Sequence, residues 1–136
     1  MPSANKLAFS VLLLPSLIAP VAAEVLCHYT YGGETIQVRA LPSDNPLRER
    51  GVVVGSYFLF RVVLQTRPAE LAAVKIYTYA DRDEGPMLLH QATFPYPPSQ
   101  ARRGAAYGFT GLQYVYEPVR DGELQYWCST TARDGA

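Results

Sequence analysis

The chain reads as an all-β protein, a single small antiparallel β-sandwich of about seven to eight strands closed by one disulfide. Three observations predict this. Apolar and polar residues alternate along most segments, and no stretch sustains a helical period. Gly and Pro punctuate the chain at short intervals, as they do between the strands of a sandwich. The only two cysteines, Cys27 and Cys128, lie near opposite ends of the stretch downstream of an export-type leader.

Residues 1–23 have the three parts of a secretory signal peptide: Lys6 for charge, Leu7 to Ile18 as an apolar run, and small residues at Val21-Ala22-Ala23. Cleavage is expected before Glu24. Bacterial lipidation at Cys27 is not expected, because Glu24-Val25-Leu26 lacks the small residues needed before the cysteine. Periplasmic or secreted protein is therefore the expected location, and there a lone cysteine pair is oxidised. A Cys27–Cys128 bond encloses about 100 residues and contributes roughly 4–5 kcal/mol in the chain-entropy treatment. The domain is expected over 24–131, with 132–136 as a disordered tail.

Each strand is argued from its local pattern. Val25 to Tyr31 is a first strand, ended by a turn at Gly32-Gly33. In Thr35 to Leu41, Ile36, Val38 and Ala40 alternate with Gln37 and Arg39, and Pro42 to Arg50 is a polar loop. Ser56 to Thr66 is the clearest strand, with Phe58, Phe60, Val62 and Leu64 on one face and Arg61 and Gln65 on the other. Arg67 to Leu71 allows one helical turn beside Pro68. Val74 to Ala80 and Met87 to Phe94 are strands joined by the acidic turn Asp81 to Pro86. Pro95 to Gly111, rich in Pro and Gly, reads as a long crossing loop.

Leu112 to Val119 and Glu123 to Thr130 form the closing hairpin. Asp121-Gly122 is the signature of a two-residue type I′ turn, which predicts Val119 opposite Leu124, Tyr116 opposite Trp127 and Val115 opposite Cys128. One face then carries Val115, Val119, Leu124 and Cys128, and the other carries Tyr114, Tyr116 and Trp127.

Charge narrows the partner. Eleven of the twelve basic residues and all twelve acidic ones lie after Ala23, leaving a net charge of −1. Nucleic acid needs a concentrated basic surface, and a polybasic membrane contact needs the same, so neither is expected. No stretch after residue 23 is apolar for the roughly 18 residues of a membrane span.

No motif for catalysis is present: there is no Gly-x-Ser-x-Gly, no His-Glu-x-x-His and no phosphate loop. His90 shares a strand face with Leu88, Ala92 and Phe94, which predicts a hydrogen-bonded, half-buried imidazole. His28 is next to Cys27, and a metal there would consume a cysteine that an oxidising setting pairs. Asp81-Arg82-Asp83-Glu84-Gly85 departs from a calcium loop, since its glycine falls at the fifth place rather than the sixth. No cofactor or metal is expected.

The ten tyrosines are the compositional oddity, several at alternate positions. Such residues either pack a core with hydroxyls at its rim or form an aromatic face. In an immunoglobulin-like architecture the third strand joins the sheet of the last two. With Val74 to Ala80 in that role, Tyr77, Tyr79, Tyr114, Tyr116 and Trp127 share one outer sheet face. The immunoglobulin disulfide joins two internal strands, whereas this pair joins the two ends. The expected function is a non-catalytic exported module whose aromatic face binds a protein or another envelope component. A small soluble ligand or carbohydrate is the alternative.

Overall fold

In the computed structural model, the described residues are 2–4, 11–17, 23–99, 102 and 104–131. Eight antiparallel strands form two four-stranded sheets, as expected for a sandwich. Strands β1 (Val25–Tyr31), β2 (Glu34–Ala40), β7 (Gln113–Glu117) and β8 (Gly122–Thr130) make one sheet in the order β2-β1-β8-β7. The other holds β3 (Val52–Val54), β4 (Phe58–Gln65), β5 (Ala73–Ala80) and β6 (Met87–Pro95) in chain order. The predicted helical turn is a 3-10 turn at Ala69–Leu71. Strand β3 is an addition to the predicted set. Its three valines lie between Gly51 and Gly55, too few for a readable period, and they pair with Phe58–Phe60.

The alternating faces pack as their patterns require. Phe58, Phe60, Val62 and Leu64 are buried from β4, and Val74 and Ile76 from β5. They meet Val25, Cys27, Tyr29, Val115, Leu124, Tyr126 and Cys128 of the facing sheet. Phe60 lies at the centre, with its ring 5.7 Å from Tyr29 and 5.2 Å from Tyr126. Burial of a ring this size contributes roughly 2–3 kcal/mol. Tyr29 is thus core.

Cys27 and Cys128 are directly opposed in the β1–β8 pair, fully buried and joined by a disulfide across 101 positions. The clasp fixes the sheet register. With Cys27 opposite Cys128, every outward residue of β1 has a set partner on β8.

The closing hairpin corrects the predicted register. Glu117 pairs with Gly122, and Val115 pairs with Leu124 rather than Cys128. The connection is the four-residue stretch Pro118 to Asp121. Asp121 takes a positive φ of 53° but Gly122 does not, so the type I′ geometry, which needs both, is absent. Gly122 instead begins β8 with its backbone against Phe58, where an added Cβ would meet the ring at 3.4 Å. The Glu117 carboxylate holds the loop by accepting from the N–H groups of Val119 (3.1 Å) and Arg120 (2.8 Å).

The shift preserves which side each residue faces, because it moves the pairing by an even number of positions. Val115, Leu124 and Cys128 stay inward, and Tyr114, Tyr116 and Trp127 stay outward. Val119 is the exception: expected in the core, it lies in the loop and is 70% exposed. Glu117 takes the inward place and is fully buried.

Most of the leader lies outside the described residues, as does the tail 132–136. Val11 to Leu17 are exposed and outside any regular element. Among the described residues no helix is long and apolar enough to cross a membrane.

Candidate functional site

The outer face of the β2-β1-β8-β7 sheet gathers aromatic side chains in rows set by strand pairing. His28 on β1 sits opposite Trp127 on β8, and their rings stack at 3.9 Å and 8°. Tyr107, from the crossing loop, meets Trp127 edge-on at 6.2 Å. It is held there because Gly108 and Phe109 run beside Cys128. The Phe109 N–H donates to the Cys128 carbonyl at 2.9 Å, and a Cβ at Gly108 would collide with that same carbonyl. Tyr114 and Tyr116 continue the aromatic series along β7, opposite Gln125 and Glu123.

These rings are outside the core. Tyr114 is 59% exposed, Tyr116 54% and Tyr107 48%, while Trp127 is half-buried between its two neighbours. Mostly uncharged polar groups fill the gaps, with Glu123 opposite Tyr116 as an exposed carboxylate. Gln37 lies opposite His28, with its Nε2 3.5 Å from the imidazole Nδ1. The Thr30 and Thr35 hydroxyls share a hydrogen bond of 2.7 Å. The Tyr116 hydroxyl donates to Asp121 Oδ1 at 2.6 Å, and this bond, with the Asp121 charge, raises the phenol pKa.

Tyr77 and Tyr79 do not join this face, which corrects the predicted five-residue cluster. Strand β5 is hydrogen-bonded on both edges, to β4 and β6, in a sheet that β7 and β8 never enter. Short connections from β4 to β5 and from β5 to β6 favour this consecutive arrangement over the immunoglobulin order. The two rings lie on the opposite outer surface of the sandwich, half-buried and occupied by Arg61. The guanidinium sits 4.2 Å from the Tyr77 ring centre and donates from Nη2 to the Tyr79 hydroxyl at 3.0 Å.

The remaining ionisable groups of note serve the fold. His90 Nε2 and the Tyr126 hydroxyl are 2.7 Å apart across the sandwich interior, the expected half-buried partnership. A bulge before His90, however, places Leu88 opposite Tyr79 and exposed rather than on the His90 face. Burial lowers the His90 pKa and raises that of Tyr126. Glu117 pairs with Arg82 at 2.9 Å. Burial opposes its ionisation, but the Arg82 hydrogen bond, the Arg120 and Val119 N–H groups and the Arg82 charge together hold its carboxyl below the usual range. Among the described residues no group of three or more His, Cys, Asp or Glu is placed to hold a metal.

Comparison with protein-family models, curated proteins and solved structures finds no match for this chain. The geometry alone must carry the functional reading. A hollow of about 580 Å³ between Phe94, Pro97, Pro98 and Phe109 has a mixed lining, with Thr93, Ser99 and Arg102 as its polar residues. It lies between the end of β6 and the crossing loop.

Two contributors to the aromatic face are absent from the set that sequence pattern predicts. His28 is legible in principle, since pairing Cys27 with Cys128 places His28 opposite Trp127. Tyr107 is not, because nothing in the irregular stretch Pro95 to Gly111 reports which residue returns to the sheet.

Proposed function

We propose that this protein is an exported, non-catalytic binding module that engages an envelope partner through the outer face of its disulfide-bearing sheet. One observation carries the reading. Tyr107, Tyr114 and Tyr116 expose large ring area around Trp127 on a rigid four-stranded surface, where packing of the core does not require them. Exposed aromatic patches of this kind usually mark interaction sites, since Tyr and Trp offer much contact area at low ordering cost. The two histidines and the buried glutamate are already engaged in internal contacts, which supports a non-catalytic role.

Export is supported by the leader pattern, the oxidised cysteine pair and the position of the first strand. The Glu24 carbonyl accepts from the Thr131 N–H at 3.3 Å, and its side chain pairs with Arg39 at 2.8 Å. The first strand, Val25–Tyr31, thus begins just after the expected cut. Intact mass of the exported protein should show Glu24 as the first residue, and a retained Met1 would refute processing at this site.

The face itself is tested with the Tyr114→Ala/Tyr116→Ala double variant. Affinity for a partner captured from an envelope extract should fall at least about tenfold, as expected for loss of central aromatic contacts. Undiminished affinity would remove the face from the reading.

A further inference from the structure

We infer that the ligand of this face is an uncharged glycan chain, an inference that rests on the binding role proposed above. Its basis is which chemistries the face offers and which it lacks.

The outward positions of its four strands alternate rings with amides and hydroxyls. Between the rings stand Thr30, Thr35, Gln37, Gln125 and Ser129. The only cation among these outward positions is Arg39, which is paired with Glu24 at 2.8 Å. The acids nearest the tyrosines, Asp121 and Glu123, already accept from Tyr116 and Gln125. An anionic polymer or lipid headgroup would find no free positive charge here.

A protein partner is disfavoured by the same inventory. Protein interface cores are enriched in Met and Arg beside aromatics and depleted in Ser. On this surface Leu26 is the one outward aliphatic residue of β1, and threonine, glutamine and serine, with Glu123 beside Tyr116, fill the ground between rings. A sugar chain asks for that mixture. Its C–H faces pack on aromatic rings, and its hydroxyls exchange hydrogen bonds with amides and hydroxyls that both donate and accept.

The shape agrees. Trp127 with Tyr107, then Tyr114, then Tyr116 occupy successive outward rows along the β7–β8 ribbon. Rows two residues apart are about 7 Å apart, so the series runs about 13 Å, suited to a short stretch of an extended chain rather than a single ring.

Trp127 is the only tryptophan in the chain and it lies on this face, so intrinsic fluorescence reports binding directly. The disulfide-intact protein is titrated with neutral chito-, cello-, malto- and manno-oligosaccharides, with heparin as the anionic control. The expected result is a saturable change in Trp127 emission with at least one neutral series, at a Kd on the order of a millimolar or tighter. Tyr114→Ala/Tyr116→Ala should weaken it about tenfold, and heparin should give no saturable response. No response to any neutral series, or one unaltered in the double variant, would overturn the glycan assignment. If the face then retains a purified envelope protein in a Tyr114- and Tyr116-dependent way, the binding role stands with a protein partner. If it retains neither, both readings fall together.

Discussion

Replacing both cysteines, as Cys27→Ala/Cys128→Ala, is expected to lower stability by roughly 4–5 kcal/mol from the unfolded-chain term alone. The bond ties positions 101 apart, so its loss frees nearly the whole domain to explore open conformations. Both cysteines are fully buried between the sheets, so removal of their sulfurs also leaves unfilled volume in the core. For a domain of this size the combined loss should lower the melting temperature by about 15 °C or more. Thermal melts of the oxidised wild type and the double variant check this. A difference of only a few degrees would mean that β1 and β8 hold together without the clasp.

The second large effect is expected at Glu117. This side chain occupies an inward place on an otherwise apolar face, and it is tolerated because the charge and donors around it are matched. Arg82 meets one carboxylate oxygen at 2.9 Å, and the N–H groups of Val119 and Arg120 meet both. Glu117→Ala would leave Arg82 without its counter-charge and two backbone donors of the Pro118–Asp121 loop without acceptors. A fall in melting temperature of roughly 10 °C is expected, in line with the breaking of a buried ion pair.

The pH dependence has a definite sign. The Glu117 carboxyl titrates below its ordinary value of 4.5 in the folded state, so its contribution is complete above that pH. It is lost as pH falls through the lowered folded-state value, because the unfolded chain takes up the proton first. His90, held below its ordinary 6.5 by burial, adds an earlier loss as pH falls below that value. Urea melts from pH 7 downward should show the gap between wild type and Glu117→Gln closing in acid. A constant gap would remove the ionised carboxylate as its cause.

How much of the fold and the face is legible in the sequence depends on whether a feature rests on period or on path. The strand faces of Phe58 to Leu64 and Val74 to Ala80 are readable because period-two alternation is a local consequence of pleating. The sidedness of Tyr114, Tyr116 and Trp127 is equally readable and survives a wrong register, since an even shift leaves each face unchanged. The turn itself misleads. Asp121-Gly122 carries the type I′ signature, yet Glu117 bonds to the Val119 and Arg120 N–H groups, and Gly122 lies against the ring of Phe58. The first is set by a residue outside the dipeptide and the second by a distant strand, so the dipeptide reports neither. The sheet membership of Val74 to Ala80 is also illegible. Whether a strand stays with its chain neighbours or crosses to the other sheet is a global choice, and the alternation looks the same in both. Pattern alone therefore groups Tyr77 and Tyr79 with rings that lie on the far side of the sandwich.

The central claim is that the rings on the disulfide-bearing sheet serve contact with a partner rather than the fold. Urea unfolding of Tyr114→Ala/Tyr116→Ala, monitored by circular dichroism, tests it most directly. Two exposed side chains removed from a surface should cost at most about 1 kcal/mol together. A loss of roughly 3–5 kcal/mol per ring, the range for aromatic residues cut from a core, would show that the tyrosines hold the domain together and would contradict the account.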